Sequence, residues 1–350
     1  LSIEEIRSEL ERNIILIKPS NFSHTGNYLL ARFPMKKSSQ SPFSPIFVLA
    51  IGVLSVSTAS IFIRFAQTEA PSFVIAAYRL TLSAIFIAPI ALWRNRRELV
   101  SLSKYQIRLA LLSGVFLAFH FASWISSLEY TSVASSVVVV TTVPLWVAII
   151  SPVTIHESVS KSAIIGIILA LTGGIIVGIS DSCTWNHGFV CPSFNQLIQG
   201  KAFLGDILAL IGAWMAVGYL LIGRRLRSGV SLLSYIFIVY TAASFVLLLI
   251  MIFAGYSPFG YSWKIFIWFF LLAIIPQLVG HTTYNWALGF LPAAFVSVTL
   301  LGEPIGSAVL AYIFLDEKPT SIKMIGAILI LVGIYITSRI RKKPNVQEEI

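Results

Sequence analysis

The residues in this chain able to do chemistry sit inside long apolar runs. Glu303 lies about halfway along a run at 290–315, and Arg79 lies within another at 72–93. A charged side chain at the centre of such a run costs about 2.5–3.5 kcal/mol on insertion scales, so it is retained facing a cavity or a partner. A buried carboxyl can load and release a proton, which makes Glu303 a candidate for proton coupling. The alternative is a structural acid, satisfied by an arginine or by backbone freed at Pro304. Taken at 1.5 Å per residue, Arg79 lies roughly 12 Å and Glu303 roughly 18 Å below the same, outer face of the membrane. These depths permit a salt bridge between them; Arg79 is equally able to meet a substrate carboxylate. Arg64 is nearer the boundary of its run and reads as a gate or an anchor.

Two polar clusters accompany these charges. His120 and Trp124 are four apart, on one helical face with Ser123 beside them, and His281, Tyr284 and Asn285 form a comparable group. Each either lines a pocket, where histidine can shuttle protons, or packs through hydrogen bonds. Two histidines in separate runs are a weak metal signal, and no metal or cofactor is expected. HExxH, a glycine-rich phosphate loop and paired aspartates within the apolar runs are not found, which argues against an intramembrane protease and ATP-driven transport.

The elements that position these groups follow from composition. Of 350 residues 57% are hydrophobic and only 11% charged, with mean hydropathy +0.85. That is too little charge for a water-facing surface, which excludes disorder, a coiled coil, a disulfide scaffold and an ordinary soluble enzyme. A membrane-crossing helix needs about 20 apolar residues. Ten such runs are present, near 46–66, 72–93, 106–128, 131–154, 162–180, 203–223, 232–254, 263–285, 290–315 and 320–339. If the N-terminus is cytoplasmic, nineteen of the 25 Lys and Arg fall in inner segments and four in outer ones. This bias puts both termini in the cytoplasm, as an even number of spans requires. Positive charges spread over alternate loops exclude a nucleic-acid footprint despite the net charge of +10.

The boundaries expected are a cytoplasmic N-terminal extension at 1–43, a first repeat at 44–180, an extracytoplasmic loop at 181–202, a second repeat at 203–340 and a tail at 341–350. Residues 1–34 read as an upstream extension before Met35, or as a short amphipathic interfacial helix. The loop holds Cys183 and Cys191, either disulfide-bonded or two free thiols. The two halves match at a constant offset of 160, with 13 identities over the 49 residues 128–176, including Pro144 on Pro304, Glu157 on Glu317, Gly166 on Gly326 and Gly173 on Gly333. Five spans per half make the second half upside down relative to the first. The fold expected is therefore an all-α integral membrane protein of ten helices in 5+5 inverted-topology repeats, the plan of many secondary transporters. Gly166, Ala170, Gly174 and Gly178 form a small-residue stripe for helix packing, or a dimer interface, and Gly326 and Gly333 play a similar part on the tenth span.

Several stretches resemble a known family. They are Ile61-Phe62-Ile63-Arg64, Ala76-Ala77-Tyr78-Arg79-Leu80, Gly205-Asp206, Tyr284-Asn285-Trp286-Ala287-Leu288, Glu303-Pro304, Glu317 and Gly326. Across about 44–340 the chain is similar to EamA-type members of the drug/metabolite transporter superfamily. The resemblance implies ten helices around a central cavity, with export or exchange of small organic solutes without ATP. The function expected is secondary transport of a small metabolite, such as an amino acid, by alternating access in the plasma membrane. Arg79, His120, Trp124, His281, Tyr284, Asn285 and Glu303 would line the cavity. The partners are that solute and the bilayer, with the chain a monomer or homodimer. The alternatives are a nucleotide-sugar or sugar-phosphate exchanger of the same superfamily and, from another class, a membrane enzyme or non-transporting receptor.

Overall fold

The computed structural model describes residues 44–131, 133–182, 184–185, 189–190, 201–315 and 321–338. The 1–43 extension, Cys183, Cys191, Glu317 and the 341–350 tail lie outside the described residues. The first half contains α1 (Pro45–Ser57), α2 (Ala59–Ala66), α3 (Ser72–Arg94), α4 (Arg96–Ser101), α5 (Lys104–Ser127), α6 (Val133–Val140), α7 (Val143–Thr154) and α8 (Lys161–Ser182). The second contains α9 (Lys201–Arg227), α10 (Leu232–Phe253), α11 (Trp263–Leu272), a π-helical segment (Ala273–His281), α12 (Thr282–Ala287), α13 (Ala293–Thr299), a 3-10 turn (Leu300–Gly302), α14 (Glu303–Leu315) and α15 (Ser321–Ser338). Between the halves, the two-residue strands β1 (Thr184–Trp185) and β2 (Phe189–Val190) pair antiparallel. This small hairpin falls in the loop expected at 181–202.

Among the described residues, eight segments are long and apolar enough to cross a membrane: Pro45–Ala66, Ser72–Arg94, Lys104–Ser127, Ser136–Thr154, Lys201–Arg227, Leu232–Phe253, Trp263–Ala287 and Ala293–Phe314. The two remaining runs of the expected ten appear as shorter apolar stretches, Lys161–Ile176 in α8 and Met324–Thr337 in α15. Large apolar side chains such as Ile46, Leu54, Ile165, Phe253 and Ile313 face outward. In water such a surface would aggregate, and only lipid is a compatible solvent for it.

Several spans are broken where the sequence offers the backbone an alternative bond. Between α1 and α2, Ser55 Oγ donates to Ile51 O at 2.8 Å, Ser57 Oγ to Val53 O at 2.8 Å and Thr58 Oγ1 to Ser55 O at 2.7 Å. Hydroxyls bonding back onto carbonyls in this way bend helices. Thr141 and Thr142 do the same before α7, each donating to a carbonyl of α6. The break ahead of α14 falls at Leu300–Gly302, and Pro304 follows just inside the new helix, where its missing N–H costs nothing. Thr142 and Gly302 are 160 residues apart, as are Pro144 and Pro304. The offset seen in sequence is thus also the spacing of two helix breaks. Pro276 lies within the nine-residue π segment, where i→i+5 bonding replaces the regular ladder.

At one end of the bundle Glu98 on α4 joins the start of α10. It accepts from the Ser231 amide at 2.7 Å, Ser234 Oγ at 2.6 Å, Asn95 Nδ2 at 3.0 Å and Ser231 Oγ. Partial burial raises the Glu98 pKa, but these hydrogen bonds outweigh it and hold the carboxyl below its ordinary value. A depressed carboxyl contributes stability at neutral pH that is lost as pH falls through its folded pKa, below the unfolded value of about 4.3. Glu98→Gln is therefore expected to lower the thermal midpoint at pH 7 and flatten its decline below about pH 4.5. Parallel midpoint-against-pH curves for variant and wild type would refute this.

Candidate functional site

A cavity lies between the halves, lined on one side by Arg79 of α3 and His120 and Trp124 of α5, and on the other by His281, Tyr284 and Glu303. The broken helices contribute Val140, Thr141 and Val143 from the first half and Leu300 from the second. The cavity measures about 40 Å³, room for about three water molecules. Six of the seven expected wall residues therefore meet in one place.

Arg79 is fully buried. Its Nε donates to Gln277 Oε1 at 2.9 Å, and its guanidinium carbon lies 4.0 Å from the centre of the Phe121 ring. Its Nη1 and Nη2 are buried without a hydrogen-bond partner. The salt bridge to Glu303 that the depths permitted is not formed, because the side chain is drawn instead to Gln277 and the face of Phe121. A guanidinium cannot shed its proton, so a buried one with unbonded donors is costly and marks a site rather than a packing solution.

Glu303 is the first residue of α14, and no other Asp or Glu among the described residues lines the cavity. Its position is set by a seam of small polar residues between α1, α2 and α14. Ser57 Oγ donates to the Glu303 carbonyl at 3.4 Å, Ser307 Oγ to Ser57 O at 3.1 Å and Ser60 Oγ to Ser307 Oγ at 3.4 Å. A Cβ at Gly306 would stand 2.1 Å from Ser57 Oγ, so only glycine lets the two helices approach this closely.

His120 and Trp124 stack nearly parallel, with ring centres 6.0 Å apart. His120 Nδ1 is 2.8 Å from the Gly212 carbonyl, which can only accept, so the proton is assigned to Nδ1 and Nε2 is left as an acceptor. His281 packs edge-on against Phe121 at 5.1 Å. Phe121 and His281 are 160 residues apart, as are Trp124 and Tyr284, so the aromatic wall draws matching positions from both halves.

Asn285 is not in the wall. Its Nδ2 donates to Tyr219 OH at 2.5 Å and to the His281 carbonyl at 2.9 Å, bracing the tyrosine that is. Ser123 faces a separate groove that also contains Glu129 and Tyr130. Gln277, Phe121 and Tyr219 were not singled out in the sequence. Gln277 carries a retrospective signal, an amide four residues before His281 inside an apolar run.

Matching arginines stand near the two ends of the bundle. Arg224 Nε pairs with Glu157 Oε1 at 2.5 Å and its Nη1 donates to Leu288 O at 2.8 Å, while Glu157 Oε2 accepts from the Ala293 amide at 3.0 Å. Arg64, 160 residues earlier, donates from Nη2 to Thr131 O at 2.9 Å.

The glycine contacts differ from expectation at one position. α8 and α15 run antiparallel, with Gly166 against Gly333 and Thr337, and Gly173 against Gly326 and Ile330. Gly174, read from the stripe as a packing residue, is not at this contact: the nearest atom to a Cβ there would be Val138 Cγ1 at 4.0 Å. The seam takes Gly166 and Ala170 from the four-residue stripe and then Gly173, one residue before Gly174. Gly178 lies further along α8.

Comparison with known proteins agrees with this architecture. A protein of Archaeoglobus fulgidus recorded as an uncharacterized transporter is 23% identical over 298 residues, covering 83% of this chain and 96% of its own. The uncharacterized transporter YxxF of Bacillus subtilis is 23% identical over 286 residues, covering 81% and 86%. One crystal structure superposes with a TM-score of 0.65 at 18% identity, covering 84% of this chain and 96% of the other, which shows a shared fold. Residues 43–179 and 203–339 each match the same family, so its unit occurs twice. The chain is a multi-pass membrane protein and belongs to the EamA-like transporter family.

Proposed function

We propose that this protein is a secondary active transporter that exports small organic metabolites, amino acids or similar, by alternating access through the cavity between its halves. The observation carrying this reading is that one buried cavity is walled by both halves and holds a guanidinium and a carboxyl that are not paired with each other. Ten spans in 5+5 inverted repeats, bounded at 44–180 and 203–340, form the framework. The antiparallel α8–α15 contact supports the inversion, because the offset of 160 exchanges the Gly166–Gly333 contact with the Gly326–Gly173 contact. Two matching helices packed antiparallel are what a pseudo-two-fold axis in the membrane plane produces. The lysine and arginine bias supports cytoplasmic termini in the plasma membrane, with Arg224 and Glu157 as a lock on the inner side and Arg64 as part of the outer one.

A multiply charged sugar phosphate suits this wall poorly, since Arg79 is the one Lys or Arg among the described wall residues and Glu303 shares the cavity with it. The test is counterflow in proteoliposomes preloaded with unlabelled metabolites. The outcome expected is accumulation of a labelled amino acid or similar solute against its unlabelled form, without ATP. An amino-acid and metabolite panel that gives no exchange at any imposed pH gradient would reject the carrier reading.

A further inference from the structure

Most of the polar groups left unbonded in the cavity wall can donate; His281 Nδ1, also unbonded there, donates or accepts according to its tautomer. Arg79 Nη1 and Nη2, Trp124 Nε1 and Tyr284 OH are all buried without a partner, and all belong to residues of the wall. Guanidinium and indole N–H groups have no acceptor capacity at all. The ligand that satisfies the Arg79 and Trp124 donors must supply acceptor atoms.

Two neighbours fix how Arg79 presents its donors. Gln277 Oε1 takes the Nε hydrogen at 2.9 Å, and the Phe121 ring covers one face of the guanidinium at 4.0 Å. What remains is the edge formed by Nη1 and Nη2, two parallel donors in a plane already oriented. That edge matches the two coplanar oxygens of a carboxylate. A neutral amide or alcohol offers a single uncharged oxygen in the same place. A phosphate brings more negative charge than one guanidinium balances beside Glu303.

We propose that the Nη1–Nη2 edge of Arg79 receives the carboxylate of the transported solute, with Gln277 and Phe121 as the positioning residues that aim it. This deepens the transport reading and rests on it. The substrate class is then a small monocarboxylate, amino acids among them, with Trp124 and Tyr284 completing the oxygen shell. Because the cavity holds only about three waters, the solute enters when the halves rock apart and the wall closes on its head group.

The experiment is counterflow with the full chain in proteoliposomes, using acids and their amides: L-leucine and L-leucinamide, L-phenylalanine and L-phenylalaninamide, benzoate and benzamide. In wild type at least one acid is expected to exchange, with its amide weaker by about 100-fold or more, because the buried fork loses its charged acceptor. Arg79→Lys keeps the charge and loses the fork, and is expected to weaken the acid by about tenfold or more. Gln277→Leu is expected to reduce the acid-to-amide ratio by about tenfold, a selectivity readout that a merely structural role would leave unchanged. Exchange of amides within threefold of their acids in wild type overturns the carboxylate assignment while leaving the carrier reading standing, and requires no variant to fold. If a folded Arg79→Lys carries acids as well as wild type does, the assignment likewise falls. Failure of every acid and amide to exchange rejects the assignment, and failure of the wider metabolite panel as well rejects the carrier reading.

Discussion

In proteoliposomes bearing a pH gradient, Glu303→Gln is expected to lose solute accumulation driven by that gradient by about tenfold or more, while solute-for-solute exchange stays within about twofold of wild type. The variant keeps the shape of the side chain and removes only its capacity to lose a proton. Glu303 is the one carboxyl among the described wall residues, it opens α14 directly after the helix break, and it has no ion pair with Arg79. Under the alternating access proposed above, a carboxyl held in this way would meet water from each side in turn, which is the requirement for carrying a proton across. Exchange needs no net proton movement, so it survives the substitution. Equal gradient-driven accumulation in Glu303→Gln and wild type would end the coupling assignment and reduce Glu303 to a structural acid.

The second large effect is on stability. Gly173→Ala is expected to destabilise the folded chain by about 3 kcal/mol, at the upper end of what overpacking usually costs. The new Cβ would stand 2.5 Å from the Gly326 carbonyl and 2.9 Å from the Ile330 amide, and backbone in a packed helix cannot step aside as a side chain can. Gly333→Ala should match it, since its Cβ would meet the Gly166 carbonyl at 2.5 Å and Ala170 N at 2.8 Å. Gly174→Ala is the control: with its nearest neighbour at 4.0 Å, it should be neutral or gain up to about 1 kcal/mol from helix propensity. Thermal unfolding in detergent compares the three directly. If Gly173→Ala is as stable as Gly174→Ala, α8 and α15 are not in the close contact described.

Much of the site could be read from sequence because the bilayer makes polar residues conspicuous. Arg79, His120, His281 and Glu303 stand out in runs that otherwise contain almost nothing able to hydrogen-bond. Phe121 carries no such mark, since one more aromatic in an apolar run is ordinary, yet it covers the guanidinium. Asn285 belongs by sequence to the polar cluster of His281 and Tyr284, but its amide bonds Tyr219 OH and the His281 carbonyl and is not in the wall. Gly174 is buried toward Val138 and not at the α8–α15 contact, because one residue is about 100° of helix rotation away from Gly173.

Residue types and their spacing were sufficient for the membrane class, the repeat at 160 and the identity of the costly buried groups. These are local properties, readable wherever a polar side chain interrupts an apolar run. The partners of those groups were decided only by the tertiary structure. As far as the sequence could say, Arg79 was free to pair with Glu303; its Nε bonds Gln277 instead, 198 residues away. A helix sets the depth of a residue, but its direction depends on kinks, π turns and the approach of neighbouring helices. Those arise from packing among distant segments, and that packing is what leaves the Nη edge of Arg79 unbonded beside the cavity.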